Sequence, residues 1–305
     1  MEAGERVGWF DGELRPLADV RVSPLSHSLH YGTGVFEGIR CYRQDDGSGG
    51  LFRVDDHLRR LERSARVLGY ALPWSTDELR DAIVATLQAN DLREGYVRPL
   101  AWLGEGGMGV AGGDNPVHVL VAVWPWGAYL GDKGLREGIR VLITSFERAT
   151  ANASAVRAKV TGQYVTSFLA KRQVKALGLD EGLVLDRDGY VCEGTGENLF
   201  AVIGGLLLTP PRESAILHGI TRDTVLALAA ELDVPTAERR FGRTDLYGAD
   251  EAFLTGTAAE VTPIREIDGR ALRSSPGPVT RRVQSAYMDA VRGRGERTAG
   301  WITRF

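Results

Sequence analysis

Of the 37 basic residues in this 305-residue chain, only four are lysine: Lys133, Lys159, Lys171 and Lys175. Arginine stays charged and offers no amine nucleophile, whereas a lysine among apolar groups can shed its proton and attack a carbonyl. Lys159 has such neighbours in Ala158 and Val160. Lys171 and Lys175 stand one helical turn apart on what reads as a solvated face, and Lys133 sits in a Gly-Asp-Lys-Gly loop. Amine chemistry therefore falls to Lys159. Taken alone, it reads as a half-buried lysine whose stem covers apolar surface.

Three downstream stretches supply partners. Glu193-Gly-Thr-Gly-Glu-Asn198 puts a carboxylate at a strand end, followed by glycines that let a ligand approach the backbone. It is no dinucleotide fingerprint, because the third glycine and the helix are missing. Leu217-His-Gly-Ile-Thr-Arg222 places a glycine at the mouth of a helix, where free N–H groups and the dipole favour a phosphate. Thr255-Gly-Thr-Ala-Ala259 offers small residues and the Thr257 hydroxyl to an anion. Singly, these read as an ordinary turn, a helix N-capped by Thr221 and a plain strand-to-strand turn. Together they make a reactive amine, a carboxylate and two anion cradles, with Arg59 as a further phosphate ligand. Pyridoxal 5′-phosphate has an aldehyde, a protonatable ring nitrogen and a phosphate, and would use every one of them.

The elements that must position these residues follow from periodicity. Short strands are expected at 7–10 and 18–22 around the Asp11-Gly12 turn, then at 39–42 before a polar loop at 43–50. Leu58, Leu61, Ala65 and Leu68 make one apolar stripe of a helix over 54–68, with Arg59 off it and Gly69 as its stop. Ser75 and Glu78 form a capping box for a second helix reaching about Asn90, and strands follow at 96–103 and 117–124. The glycine-rich run 126–133 reads as a linker. Beyond it a strand is expected at 139–145. A helix carrying Val165, Phe168, Leu169, Ala176 and Leu177 then ends at Gly178. Hairpins are expected around Arg187-Asp-Gly189 and Gly204-Gly205, then a helix from Ile220, strands at 252–254 and 261–265, and a last helix over 279–291.

Composition narrows the function class. A net charge of −3 provides no basic field for a nucleic acid. No apolar run approaches membrane-spanning length, and Met-Glu-Ala-Gly-Glu-Arg lacks a signal-peptide core. Cys41 and Cys192 make neither a disulfide framework nor a metal site. The five histidines, His27, His30, His57, His118 and His218, show no metal-ligand spacing, and His27 and His30 read as structural. A cytoplasmic enzyme without metal is expected.

Eight blocks in order carry a resemblance: His30-Tyr-Gly-Thr-Gly-Val-Phe-Glu-Gly-Ile-Arg40, Tyr96-Val-Arg-Pro99, Gly107-Met-Gly109, Trp124-Pro-Trp-Gly-Ala-Tyr129, Ala158-Lys159, Glu193 to Phe200, Gly219-Ile-Thr-Arg222 and Gly256-Thr-Ala-Ala-Glu260. On these the chain resembles the fold-type IV (class IV) aminotransferases, and within them the bacterial branched-chain enzymes. The resemblance implies a two-domain α/β and α+β architecture. It consists of a small N-terminal α+β domain over 1–125, an interdomain loop over 126–135 and a larger C-terminal mixed α/β domain of barrel type, binding pyridoxal 5′-phosphate, over 136–305.

It also implies residue roles. Lys159 resembles the Schiff-base lysine, which is also the catalytic proton carrier. Glu193 is similar to the partner of the pyridine nitrogen, and Tyr164 to that of the phenolic oxygen. Arg59, Ile220, Thr221 and Thr257 resemble the phosphate cradle, and Leu217 the residue packed on the ring. Gly196, Glu197, Asn198, Gly219 and Gly256 belong to the same cofactor-binding blocks. On the substrate side, Thr257 and Ala258 resemble main-chain donors to the α-carboxylate, with Ala259 beside them. Tyr31, Phe36, Trp126 and Tyr129 resemble the side-chain pocket, joined by Met108 and Val110 across a dimer interface. Gly38, Arg40 and Tyr96 lie in the same blocks, and Arg98, with Tyr31, resembles the acceptor of the second carboxylate of glutamate. The activity implied is transamination between Leu, Ile or Val and 2-oxoglutarate by a homodimer or higher oligomer. The alternatives are a class IV transaminase of specialised metabolism, a D-amino-acid aminotransferase, aminodeoxychorismate lyase and a silent phosphate-binding protein. The Gly-Ile-Arg40 and Trp124-Pro-Trp126 blocks argue against the D-amino-acid enzyme and the lyase, and Lys159 with Glu193 against mere binding. Gln163 and His218 depart from the usual asparagine and proline. The stretch 148–154 lacks the usual proline-containing form, so substrate range is less closely implied than cofactor binding.

Overall fold

Turn chemistry sets the first register. Strands β1 (Val7–Phe10) and β2 (Glu13–Pro16) pair with Phe10 opposite Glu13. Asp11 and Gly12 form the connection, both at positive φ (48° and 101°). A two-residue turn of this kind returns the chain at once. The return strand is therefore 13–16, not the expected 18–22, and Leu17–Asp19 forms a 3₁₀ turn.

The structure, a computed structural model, describes residues 6–127, 129–295 and 300–305. Ala128, within the expected linker, lies outside them, as does the start of the N-terminal segment. The chain falls into two compact units. The first is Met1–Gly127, Ala158–Gln163 and Val291–Phe305; the second is Ala128–Arg157 and Tyr164–Ala290. A single cut at 126–135 does not describe this division. Two later segments join the first unit because Val160 bridges to Val35 and Ile302 pairs with Phe52.

The first unit adds α1 (His27–Tyr31), β3 (Val35–Phe36), β4 (Ile39–Arg43), β5 (Gly49–Phe52), α2 (Val54–Val67), α3 (Thr76–Ala89), β6 (Gly95–Leu103) and β7 (Val117–Trp124). Its antiparallel sheet runs from the C-terminal strand Ile302–Arg304 through β5, β4, β6, β7 and β1 to β2, with β3 also on β6. β5 falls partly in the expected polar loop. There the glycines are packing devices: a Cβ on Gly49 would lie 2.5 Å from the Phe305 ring, and one on Gly50 2.3 Å from Gln44 Nε2. The α2 stripe is buried at Leu58, Leu61 and Ala65, but His57, Arg60 and Ser64 are buried beside it. The expected capping box starts α3, with Ser75 N–H donating to Glu78 and Glu78 N–H to Ser75 Oγ. His27 is buried between Thr33 Oγ1 and the Gly109 carbonyl (both 3.1 Å), a structural role.

The second unit contains α4 (Gly131–Glu137), β8 (Ile139–Glu147), α5 (Tyr164–Ala176), β9 (Glu181–Leu185), β10 (Val191–Gly194), β11 (Asn198–Ile203), β12 (Leu206–Thr209), α6 (Ile220–Glu231), β13 (Thr236–Glu238), α7 (Arg243–Tyr247), β14 (Glu251–Gly256), β15 (Glu260–Ile267), β16 (Arg270–Ala271) and α8 (Pro278–Val291). The strand order β10, β9, β8, β15, β14, β11 returns to β10 through the pair Glu193–Asn198. This closes a barrel of mixed strand direction, filled by Ile139, Val141, Leu183, Leu199, Leu254 and Ile264. Part of the expected loop 126–135 is helical, since α4 begins at Gly131. Among the described residues no helix is long and apolar enough to cross a membrane, and no His, Cys, Asp and Glu group is arranged for a metal ion.

α5 bears out the expected helix and corrects one expectation. Its buried residues are Ala170 and Val174, while Val165 and Phe168 are 60% and 61% exposed. Lys171 is not a solvated partner of Lys175. Its ammonium pairs with the fully buried Glu181 and donates to the Asp180 carbonyl (2.8 Å), 5.4 Å from the Tyr129 ring centre. Removing one member of a buried pair strands the other charge. Lys171→Ala is expected to cost about 3 kcal/mol of unfolding free energy. Lys175→Ala, on the exposed face, is expected to stay within about 0.5 kcal/mol. Urea titrations of both variants check the contrast.

Candidate functional site

Strand pairing gathers the three suspected stretches in the second unit. Glu193 and Asn198 face each other where β10 and β11 close the barrel. The Glu193 carboxylate is buried: Arg148 Nε lies 2.9 Å from Oε1, and Oε2 accepts from Asn198 Nδ2 (3.2 Å) and Leu217 N–H (3.0 Å). Asn198 Nδ2 also donates to the Leu217 carbonyl (3.0 Å), which ties the 217–221 stretch to the barrel. Gly219 is required there, because a Cβ would lie 2.0 Å from Asn198 Oδ1. Gly219 is also the N-cap of α6, so Thr221 lies inside the helix and is not its cap. Gly219 brings no side chain of its own to cap this helix, whose N-terminal dipole end favours an anion.

The third stretch arrives through β14. Thr255 pairs with Asn198, and a Cβ on Gly256 would touch Glu197 Cγ at 3.4 Å. Thr257 and Ala258 sit half-buried on the turn that follows, and Ala259 is buried with its carbonyl accepting from Thr262 Oγ1 (2.6 Å). Beneath this turn lies an acidic layer. Gly196 N–H donates to Glu197 Oε2 (3.1 Å), and Thr195 Oγ1 donates to Glu181 Oε1 (2.5 Å). Burial, reinforced by the charge of Glu181, pushes the Glu197 carboxyl up to about 8 against the opposing pull of Lys171. Also in this unit, Tyr164 is half-buried at the start of α5, Tyr129 is exposed, and the His218 ring faces the Arg212 carbonyl (Nε2 to O, 3.0 Å).

The first unit holds the amine. Lys159 is half-buried, with Nζ 4.9 Å from the centre of the Phe36 ring. Arg98 Cζ lies 4.9 Å from the same ring centre and also over Tyr96 and Trp124 (5.4 and 5.8 Å). Its buried Nε has no hydrogen-bond partner among the described residues. Trp126 joins this wall through Tyr96 (ring centres 5.2 Å apart), and Gly38 is obligatory because a Cβ would lie 1.8 Å from the Tyr96 hydroxyl. Arg40 is buried and donates to the Gly127 carbonyl (3.1 Å). Elsewhere in the unit, the Tyr31 hydroxyl donates to the Met108 carbonyl (2.9 Å), and Val110 is 78% exposed. Arg59 is 62% exposed and pairs with Asp56 (2.7 Å).

Partners of the key groups escape sequence reasoning. Arg148, which pairs with Glu193, lies far from it in the chain with no local signal. Glu37 lies inside the block His30–Arg40 yet carries no suggested role. It is fully buried, bound by Arg60 Nε and Nη2 (2.6 and 2.8 Å) and by His57 Nδ1 (2.7 Å). Burial alone would raise its carboxyl; Arg60 and His57 together outweigh that and hold it well below the usual carboxylate range. Burial depresses His57 despite the opposing charge of Glu37, which favours the neutral ring.

Comparison with known proteins gives one answer. The family model described as Amino-transferase class IV matches residues 34–267. The branched-chain-amino-acid aminotransferase of Pseudomonas aeruginosa is 45% identical over 99% of both chains. The crystal structure of the Escherichia coli branched-chain amino acid aminotransferase superposes with a TM-score of 0.95 at 42% identity, covering 98% of each chain. That of the Thermobaculum terrenum enzyme in its PLP-bound holo form gives a TM-score of 0.92 at 34% identity, with 99% of each chain covered.

The raised Glu197 carboxyl has a measurable consequence. A buried acid whose folded pKa exceeds its unfolded value holds its proton in the native state, so its contribution is fully present at low pH. It is lost as pH rises from about 4.5 towards about 8. Subtracting the stability–pH curve of Glu197→Gln from that of the parent, in urea titrations from about pH 5 to 9, is expected to leave a falling difference. A flat difference would show that Glu197 ionises normally.

Proposed function

The chain belongs to the class IV aminotransferases, and from that premise we propose that it moves amino groups between branched-chain L-amino acids and 2-oxoglutarate with pyridoxal 5′-phosphate. The observation that carries the proposal is the Glu193 carboxylate, buried and braced by Arg148, Asn198 and the N–H of Leu217, two residues before the N-cap of α6. A phosphate-binding protein needs no such acid, whereas a cofactor whose ring must keep a proton on nitrogen does.

The donor set fits pyridoxal 5′-phosphate. Glu193 would hold the ring-nitrogen proton. The main chain at Ile220 and Thr221, with Thr257 and Arg59, would hold the phosphate, while Leu217 would pack on the ring and Tyr164 would bond the phenolic oxygen. Lys159 would anchor it through Nζ. Bound there, the cofactor supplies an aldehyde carbon and a ring that withdraws electrons from the substrate's α-carbon. Lys159 Nζ would serve as the base that takes the substrate's α-proton and as the acid that gives it back. Main-chain N–H groups of Thr257 and Ala258 orient the α-carboxylate. Phe36, Tyr31, Trp126 and Tyr129 surround an aliphatic side chain, with Met108 and Val110 from a second copy. Arg98, whose Nε is buried without a hydrogen-bond partner among the described residues, receives the distal carboxylate of glutamate. One apolar pocket edged by one guanidinium thereby serves both leucine-like and glutamate-like substrates.

The same proposal includes a homodimer or an assembly of dimers in the cytoplasm. In the first unit Leu29, Tyr31, Met108 and Val110 are exposed (64, 41, 38 and 78%), as are Val165 and Phe168 in the second. These are the exposed apolar side chains that a second copy would cover. Light scattering at micromolar concentration should give at least twice the chain mass of 33.2 kDa, and a fully active monomer would end this part.

Purified protein should be yellow, and borohydride should bleach it. Mixed with single amino acids, the coloured form is expected to convert with L-Leu, L-Ile and L-Val and not with their D-enantiomers; conversion by D-amino acids alone would contradict the assignment. Lys159→Ala should remain folded and lose at least about a thousandfold in kcat/KM, measured as multiple turnovers in a coupled assay.

A further inference from the structure

Both main-chain groups of Lys159 are taken. Its N–H donates to Ser64 Oγ (3.0 Å), and its carbonyl accepts from Phe36 N–H (3.1 Å). The Ser64 hydroxyl, fully buried on α2, donates in turn to the Arg60 carbonyl one turn back (2.7 Å). The Arg60 side chain reaches the link between β3 and β4 and binds Glu37 through two nitrogens. Glu37 follows Phe36 directly, so the circuit closes: Lys159, Ser64, Arg60, Glu37, Phe36 and Lys159 again. His57, on the same face of α2, adds its Nδ1 to the Glu37 carboxylate.

Packing alone gives no reason for this cluster. Apolar side chains of similar volume would stabilise the interior as well as a buried ion pair does, or better. What the pair adds is direction, because two bonds from a planar guanidinium fix one geometry between α2 and the β3–β4 link. Those are the two elements that grip Lys159. The circuit also sets charge. The elements packed here carry Glu37 from the link, His57 and Arg60 from α2, and Arg98 from β6, whose guanidinium shares the Phe36 ring with Lys159. Glu37 is the anion in that company.

We propose that Glu37 is a positioning residue for Lys159, fixing its main chain through the closed circuit and offsetting the cations beside its amine. The role extends the function proposed above, since it matters for turnover only if Lys159 is the reactive amine. The geometry itself does not depend on that.

With four lysines in the chain, the test can be read residue by residue. The full-length, cofactor-free chain is labelled with acetic anhydride across a pH series, and each lysine's rate is read by peptide mass spectrometry. Glu37→Gln removes the anion and leaves Arg60 charged, which disfavours the ammonium. Lys159 should be labelled at least about threefold faster than in the parent at each pH, while Lys133 and Lys175 are labelled as before. A Lys159 profile that overlays the parent's in the folded variant overturns the proposal. Ser64→Ala provides a second arm should Glu37→Gln fail to fold. Deuterium exchange at the peptide carrying the Lys159 amide should be at least about tenfold faster, and unchanged exchange there also overturns it. Protection of Lys159 from acetylation by added pyridoxal 5′-phosphate checks the amine's use separately. Failure of that protection would overturn the function assigned to Lys159, while the two variants would still decide the positioning role.

Discussion

A carboxylate taken out of water must be met by positive charge or by donors, and this requirement organises both units. Glu193 is met by Arg148, Asn198 and the Leu217 N–H. Glu37 is met by Arg60 and His57. Glu181 is met by Lys171, Thr195 and the Gly182 N–H. Each joins segments far apart in the chain, and each would be costly to leave half-made. The barrel closes where Glu193 needs Asn198 opposite it, and α2 docks where Arg60 needs Glu37. Within each unit these buried acids fix the local fold around them.

Secondary structure was legible where local chemistry decides it. The α2 stripe and the Ser75–Glu78 capping box mark helices that the structure shows with nearly the same ends. It was illegible where distant contacts decide. β5 contains two glycines that read as loop, yet their missing side chains admit Phe305 and Gln44. The strand expected at 18–22 had its correction already present in Asp11-Gly12, because a tight turn fixes where the return strand begins. α5 was legible as a helix from its large apolar residues, but which of its faces packs inward was not. Those residues face outward, while the small Ala170 and Val174 make the internal contact.

The site divides in the same way. Lys159, Glu193, Gly219 and Thr257 announce themselves by residue type and by the glycines around them. Arg148, Glu37, Ser64 and Lys171 do not, because an arginine or a serine in a helix gives no sign of the acid or amide it will meet. Lys171 is instructive: its rarity was visible, but the burial of Glu181 that gives it a partner emerges only when β9 pairs with β8. Sequence thus singles out candidate chemical groups more readily than the partners that hold them still.

The scarcity of lysine has a consequence for selectivity. Simple aldehydes condense with primary amines and leave guanidinium groups alone. Lys171 has its ammonium engaged by Glu181, and of the rest only Lys133 and Lys175 lie open on the outside. A surface clad in arginine is therefore nearly blind to carbonyl compounds. An excess of a reactive aldehyde, or of a reducing sugar, finds few lysines on the outside of this chain at which to lodge.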